Sequence, residues 1–329
     1  MKTISNKIRK PINLYDMKKV IAIALIAVAS IMGAEKVQAQ QLPQFTQYMF
    51  NNYIVNPAVA GVYNYYQVRT NNRFQWAGIP DAPQTFSLSA YGPHAKKDMG
   101  FGGYFYRDQT GPTSRTGGLF SYSYNMPINK EMRISGGLSL GFLIFGVDGS
   151  KLDLGDFSYG VIDPAMYRTS KSIFTPDASI GFQLYSSYYF AGISAHQLFG
   201  QKLYKSLLPR GGEFQDTIYG INKLKQHFTV SGGYMYMLNR DWDFEPSALI
   251  KYMFGAPVQV DLNIKANYRK KIWGGLSFRW QDGISILFGY NHEGKYIFGY
   301  SFDYSLTSIG KYNAGSHEIM LGYMFDKLK

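Results

Sequence analysis

The 329-residue sequence predicts an all-β fold, namely a transmembrane, up-and-down, antiparallel β-barrel of about 14 strands of the outer-membrane type. Side chains alternate with a period of two through most of the chain after residue 61. Tyr, Phe and Gly number 28, 23 and 35, yet the mean hydropathy is −0.20. No segment after residue 39 reaches the 18 apolar residues of a membrane-spanning helix. A barrel with a lipid face, a wet interior and aromatic girdles accounts for this combination.

Residues 1–39 are typical of a signal peptide. Lysines precede an apolar run over residues 20–32, which is too short to span a bilayer, and small residues follow. We expect cleavage near Ala39, and either Met1 or Met17 is the start. Because the chain has no cysteine, a disulfide, a lipid-anchored cysteine and a thiol nucleophile are excluded.

The formal charge of +12 overstates how basic the mature chain is. The leader carries seven Lys or Arg against Asp16 and Glu35, a net of +5, which leaves +7 for the rest. This excess contains no basic cluster, so it gives little support to nucleic-acid binding. It is compatible with contact to anionic lipopolysaccharide or to an acidic partner.

Residues 40–61 lie between this leader and the first strand. Four residues recur at helical spacing and would share one face of a short amphipathic helix: Phe45, Tyr48, Met49 and Tyr53. An Asn-Pro pair then ends the helix, since the residue before proline disfavours helical geometry. Small residues follow, as a close backbone contact requires. We expect this segment to lie in or against the periplasmic mouth of a barrel formed by residues 62–329.

The alternating runs give the strand count. They lie near residues 62–72, 84–92, 99–108, 116–126, 131–146, 175–185, 188–198, 226–238, 242–254, 257–268, 271–281, 284–291, 296–305 and 316–325. In the clearest run, Val258–Arg269, apolar residues alternate with polar or charged ones over twelve positions. A tilted membrane strand needs about 9–11 residues, so this run is long enough to cross.

The links between runs alternate in length. Every second link is short, whereas several of the others are longer, notably those over residues 147–174, 199–225 and 306–315. Outer-membrane barrels have short periplasmic turns and longer outer loops, so both termini are expected on the periplasmic side. Two outer links, near residues 255–256 and 282–283, are predicted to be short as well.

Five Gly-Gly pairs recur inside the predicted strands: Gly102–Gly103, Gly117–Gly118, Gly136–Gly137, Gly232–Gly233 and Gly274–Gly275. Glycine within a strand marks a bend or a place where another backbone comes close. The pairs therefore indicate either curvature of the wall or room for the N-terminal segment within the lumen.

The residues offer little evidence for catalysis, and the chain is predicted not to be an enzyme. It has no Gly-x-Ser-x-Gly elbow and no His-x-x-x-His metal pair. His196 and His227 flank one long loop that contains Glu213 and Asp216, which would allow an acid–base site at the rim. Ordinary surface histidines are the preferred interpretation, and no cofactor or metal is inferred.

Predicted lumen-facing charges in the later strands have both signs: Lys251, Asp261, Lys265, Arg269, Arg279, Asp303 and Glu318. Mixed charges can form ladders across neighbouring strands and stiffen a filled interior. An ion-selective pore would more often show a ring of one sign. The pattern therefore weighs against a dedicated ion channel.

The start of the mature chain resembles the opening signature of the PorP/SprF family of the Bacteroidetes type IX secretion and gliding machinery. The resemblance is carried by Gln44, Gln47, Tyr48, Met49, Phe50, Asn51, Asn56, Pro57, Ala58, Ala60 and Gly61. Further on, Arg73, Gln75 and Trp76, followed by a Pro-x-Thr sequence, are also similar to the family. The specific motifs lie before about residue 90.

This resemblance implies a non-enzymatic outer-membrane protein that supports secretion or surface attachment of a cargo such as an adhesin. Its implied partners are that cargo, other secretion components at the periplasmic face, and outer-membrane lipid and lipopolysaccharide. Two other classes remain open from the residues alone. A channel for small or hydrophobic solutes would need a clear lumen, and a surface enzyme would need a catalytic group at the rim.

Overall fold

The computed structural model describes residues 42–151, 171–200 and 224–325, so the predicted signal peptide of residues 1–39 lies outside the described part. Its β-strands are β1 Tyr66–Phe74, β2 Gln84–Pro93, β3 Met99–Thr110, β4 Thr113–Pro127, β5 Met132–Val147, β6 Lys171–Ser186, β7 Tyr189–His196, β8 His227–Tyr234, β9 Tyr236–Met237, β10 Trp242–Met253, β11 Gln259–Tyr268, β12 Ile272–Arg279, β13 Gly283–His292, β14 Tyr296–Ser305 and β15 Ser316–Phe325. Short 3₁₀ turns occupy Gln47–Met49, Asn52–Ile54, Pro57–Gly61, Gly149–Lys151 and Ser308–Lys311. No helix in these ranges is long and apolar enough to cross a membrane.

The strands close into one antiparallel barrel. Neighbours in sequence pair with each other around the sheet, and β1 pairs with β15, with Tyr66 opposite Phe325. The short β8 and β9 both pair with β10 and are two pieces of one wall strand, so the wall has fourteen strands. Pro246 of β10 lies within the unpaired gap between the two pieces. Proline has no backbone N–H to give to a ladder, which accounts for the gap. The predicted fold class and strand number are confirmed.

The two faces of the wall differ as the period of two predicts. On β11, Leu262 and Ile264 are exposed on the outside, whereas Asp261 and Asn263 are buried on the inside. β12 and β14 alternate in the same way. Exposed tyrosines and tryptophans lie toward strand ends, as expected for interfacial girdles: Tyr124, Tyr189, Tyr234, Trp242, Tyr290, Tyr296 and Tyr323 at one end, and Trp280 and Tyr304 at the other.

The barrel has two unlike rims. Links of two to five residues, over 94–98, 128–131, 187–188, 238–241, 269–271 and 293–295, form what we call the short-turn rim. The opposite, long-loop rim has the links over 75–83, 148–170, 197–226 and 306–315, together with short ones over 111–112, 254–258 and 280–282. Short turns face the periplasm in outer-membrane barrels, which orients the molecule. The expected difference between the rims is therefore observed.

Candidate functional site

The N-terminal segment passes through the lumen from one rim to the other. Pro43 lines a cavity together with Pro257 of the long-loop rim. Gly61 packs against Gly100, near the short-turn end of β3, and the Asn125 side chain donates to the Gly61 carbonyl at 2.9 Å. The segment thus runs along the length of the barrel and is not confined to its periplasmic mouth. Its first described residues lie on the outer side.

Three 3₁₀ turns replace the single amphipathic helix that the spacing predicts. The first turn ends before Asn51, which is neither helical nor fully extended (φ −129°, ψ 59°). Asn56 is extended, and its side-chain oxygen caps the third turn by accepting from the Ala58 N–H at 3.0 Å. The helix prediction is wrong because the lumen surrounds the segment. Its side chains bind wall on every side, so no single apolar face is selected.

A buried carboxylate, Glu318 of β15, holds the outer half of the segment. The backbone N–H groups of Thr46 and Gln47 donate to its two oxygens at 2.6 and 3.2 Å. The Gln47 side chain also donates to the Glu318 carbonyl at 2.9 Å, and Asn71 of β1 donates to the carboxylate at 2.9 Å. Arg73, also on β1, lies 3.5 Å from the same carboxylate. Charge-assisted bonds of this kind are about twice as strong as neutral ones.

Two ion clusters continue around the lumen wall at this level. Arg73 lies 2.6 Å from Asp303 of β14, and the Thr46 hydroxyl donates to that carboxylate at 2.7 Å. Arg279 of β12 lies 3.3 Å from Asp261, and Lys251 lies 3.8 Å from it. These charges alternate in sign and, apart from Lys251, are almost entirely buried. A buried charge is tolerated only when it is paired in this way.

The Gln44 side chain joins the second cluster. In the orientation that satisfies its neighbours, its amide oxygen accepts from Arg279 Nε at 2.9 Å and from Gln259 at 3.1 Å. Six of the seven predicted lumen charges therefore lie inside the barrel. The seventh, Arg269, was placed inward by the alternation, and this placement is wrong. It lies in a short turn with φ of 51°, where the strand has ended. There it pairs in solvent with Asp241 at 2.9 Å, and that hydrogen bond raises the pKa of the guanidinium.

Aromatic contacts hold the middle of the segment. Tyr48 accepts a hydrogen bond from Asn263, and Phe50 packs on Trp273 with ring centres 3.8 Å apart. Tyr53 stacks on Tyr91 with ring centres 4.5 Å apart, and its hydroxyl lies 2.7 Å from the Ser121 hydroxyl. Phe50 is held by packing, whereas each of the two tyrosine hydroxyls also has a hydrogen-bond partner. The two phenols therefore act as packing and hydrogen-bonding groups.

Glycines in the wall admit the inner half of the segment. A Cβ on Gly137 would come within 2.4 Å of the Ala58 nitrogen, and one on Gly102 within 2.6 Å of the Tyr53 hydroxyl. The other three Gly-Gly pairs do not face the segment. Gly100, Gly181 and Gly299 also touch it but belong to no pair. Room for the segment therefore accounts for two of the five pairs.

Comparison with known proteins identifies the family of this chain. A model of the family "Type IX secretion system membrane protein PorP/SprF" matches residues 37–323. The chain belongs to the PorP/SprF family. Among solved structures, it is similar to the KdgM porin (10% identity, TM-score 0.37, covering 79% of this chain and 99% of that one) and to the CymD monoaromatic hydrocarbon channel (10% identity, TM-score 0.47, 89% and 97%). Among curated proteins, none matches the chain.

Most of the residues that carry the PorP/SprF resemblance meet in the lumen. Eleven lie in the segment itself: Gln44, Gln47, Tyr48, Met49, Phe50, Asn51, Asn56, Pro57, Ala58, Ala60 and Gly61. Arg73 joins them through Asp303. Gln75 and Trp76 lie apart, on the link over residues 75–83, where Gln75 bonds to the Pro83 carbonyl and Trp76 to Ser316.

Thr46, Asn71 and Trp273 were not predicted from the sequence, although each contacts the segment or its anchor. Asn71 lies two positions before Arg73 on β1 and faces inward with it, so strict alternation from Arg73 predicts its direction. Thr46 lies between the motif residues Gln44 and Gln47, and this position was the only indication of its role. Trp273 precedes an outward-facing glycine, and its inward position also follows from the period of two.

Two histidines of this PorP/SprF member lie on the inner face of the wall. His196 and His227 are buried, opposite each other on β7 and β8, so the expectation of surface histidines is wrong for this pair. His196 Nε2 lies 2.7 Å from the Val55 carbonyl and ties the segment to β7. Glu213 and Asp216 lie outside the described residues, and within those residues no group of three potential ligands could hold a metal.

Proposed function

We propose that this protein is a non-enzymatic component of a type IX secretion system that supports secretion or surface attachment of partner proteins such as adhesins. Family membership supports the assignment to the machinery. The observation that carries the proposal is the lumen segment, which occupies the axis along which a solute would diffuse. A barrel filled in this way is suited to holding and presenting partners.

The alternative is a channel for small or hydrophobic solutes. Against it stand the buried ion clusters around Arg73 and Arg279, whose members bond to Thr46 from four wall strands. Moving the segment aside would break the hydrogen bonds that Thr46 and Gln47 donate to Glu318 and Asp303. A hydrogen bond to a charged group contributes about 1.5–3 kcal/mol, so this movement would be expensive. The mixed signs of the lumen charges also differ from the one-sign rings of selective pores.

The remaining expectations belong to the same proposal. Residues 1–39 direct export and are cleaved near Ala39, residues 40–61 form the lumen segment, and the barrel resides in the outer membrane of a member of the Bacteroidetes. Partners are a secreted cargo or adhesin, other secretion components at the periplasmic face, and lipid and lipopolysaccharide around the wall. Gliding motility is the process that such a cargo would serve.

The test releases the segment without removing it. Tyr48 and Phe50 bury aromatic surface in the lumen, and each contributes roughly 1.5–3 kcal/mol, so the double variant Tyr48→Ala/Phe50→Ala should free the segment while the barrel still inserts. Tyr312→Ala, 76% exposed on the long-loop rim, is the control. Secretion of surface proteins and uptake of a small solute are measured in the same strains.

We expect the double variant to lose secretion or retention of its partner and the control to behave as the parent. Unchanged secretion with altered solute uptake in the double variant would assign the protein to the channel class instead. Loss of the barrel from the outer membrane is detected separately, by its mobility with and without heating in an electrophoretic gel.

A further inference from the structure

The periplasmic end of the lumen is hollow. Beside the last turns of the segment lies a cavity of about 340 Å³, lined by Phe50, Tyr63, Tyr65, Tyr185 and Phe190 among others. A second cavity of about 490 Å³ shares Tyr63 and Tyr185 with it and reaches the turn that carries Lys96 and Lys97. Together they form one recess, aromatic inside and basic at its edge, which we call the vestibule.

The rim around the vestibule carries an excess of free positive charge. Within the described residues, seven exposed cations of the short-turn rim form no ion pair: Lys96, Lys97, Lys130, Arg240, Lys270, Lys271 and Lys295. The rim acids Asp98 and Asp241 are already paired, with Arg133 and Arg269. Glu131 and the weakly engaged Glu293 are the only acids left to balance them in these turns.

We propose that the vestibule binds an acidic segment of a periplasmic protein, with an aromatic or aliphatic side chain of that segment inserted among the tyrosines. This inference rests on the proposed function in one respect: it assumes that the partner is a periplasmic protein. Free cations around a recess attract and orient an acidic partner, and the aromatic interior supplies desolvated contact area. Tyrosine side chains suit such contact because each has only two side-chain torsions and so loses little conformational entropy on binding.

Geometry favours a protein segment over a membrane surface. Lys96 and Lys97 line the recess together with Gly61 and Asn125, where the segment meets the inside of the wall. Lipid headgroups meet the outside of the barrel at the level of the aromatic girdle. An extended chain can instead enter the mouth and reach Tyr65 and Lys265.

The test uses the full-length barrel in uncharged detergent and a fluorescent synthetic peptide of about ten residues, rich in Asp and Glu with two Phe. The variants are Lys96→Gln/Lys97→Gln at the edge and Tyr65→Ala inside. Lys151→Gln/Lys311→Gln and Tyr312→Ala, on the opposite rim, are the matched controls. Folding of every variant is checked by its mobility with and without heating.

We expect binding of the peptide to weaken about tenfold in the lysine variant and about fivefold in Tyr65→Ala, to fall with added salt, and to be unchanged in the controls. A peptide with Lys in place of the acids should not bind. Equal binding by all variants, equal loss in the controls, or binding to phosphatidylglycerol vesicles in place of the peptide would overturn the proposal. The secretion assay tests the role of the lumen segment, whereas the peptide assay tests binding at the vestibule. Failure of one proposal therefore does not prevent the test of the other.

Discussion

At the scale of single residues, Glu318 links the wall to the segment that fills it. Its side chain is fully buried and receives hydrogen bonds from two backbone N–H groups of the segment and from Asn71. Arg73 supplies the compensating charge from the neighbouring strand. Loss of the carboxylate would leave the Thr46 and Gln47 N–H groups unpaired in the interior, and each such group costs about 1–3 kcal/mol.

Replacing Glu318 with Ala should therefore lower the free energy of unfolding by about 3 kcal/mol or more. The control is Asp241→Ala, because Asp241 also pairs with an arginine, but in a turn where the two side chains are 46% and 59% exposed. Exposed pairs contribute about 0–1 kcal/mol. Urea unfolding in micelles, followed by tryptophan fluorescence, measures both. Equal losses for the two variants would contradict the anchoring role of Glu318.

Residue-scale contacts were only partly predictable. Strict alternation identified Asp303, Arg279 and Glu318 as inward-facing, since a strand has two faces and one is lipid. Alternation does not predict which inward-facing residue contacts the segment, because the contacting residues are far apart in the sequence. Thr46 and Glu318, for example, are separated by 272 positions. Alternation also fails where a strand ends, as at Arg269.

At the scale of elements, the segment and the wall strands are fitted to each other by glycine. Gly136 and Gly137 are adjacent on β5, so they point to opposite faces of the wall. A Cβ on Gly137 would enter the backbone of the third 3₁₀ turn, whereas one on Gly136 would make ordinary contact with Phe182 at 3.4 Å. The sequence shows the pair, but only the position of the segment distinguishes its two members.

Gly137→Ala should displace the segment and cost about 1–3 kcal/mol, the usual penalty for overpacking. Gly136→Ala should be close to neutral, which makes it the matched control. Limited proteolysis of the folded barrel reports the segment directly: we expect cleavage within residues 42–61 to become faster only in Gly137→Ala. Equal protection in both variants would mean that the segment does not pack against β5 as described.

At the scale of the whole molecule, fold class and strand number followed from the sequence because a period of two, sustained over about ten residues in run after run, is rare outside membrane barrels. The course of the N-terminal segment did not follow from it. The helical spacing of that segment was real, but a lumen imposes contacts on all sides and overrides a one-sided pattern. Residues 152–170 and 201–223, where the sequence predicts long loops, lie outside the described residues.

The membrane-facing surface gives a prediction at this scale. Leu262, 52% exposed on the outside of β11, lies where lipid is expected, so Leu262→Arg should cost about 2–4 kcal/mol of folding free energy in a bilayer. Asn267→Arg on the same strand is the control, since Asn267 faces inward and bonds to Asp243, a partner for the new charge. Asn263 is less suitable because it contacts Tyr48. Folding into vesicles measures both, and an equal effect would refute the assigned faces.

The anchor of the segment also lies at the seam of the barrel. Glu318 belongs to the last strand and Arg73 to the first, and these two strands meet only when the ring closes. Before closure, Glu318 is not beside Arg73, so the charged part of the anchor is incomplete. Pairing of the first and last strands therefore closes the wall and, in the same step, completes the anchor that holds the segment. A barrel that closed without the segment would bury Glu318 without the hydrogen bonds from Thr46 and Gln47.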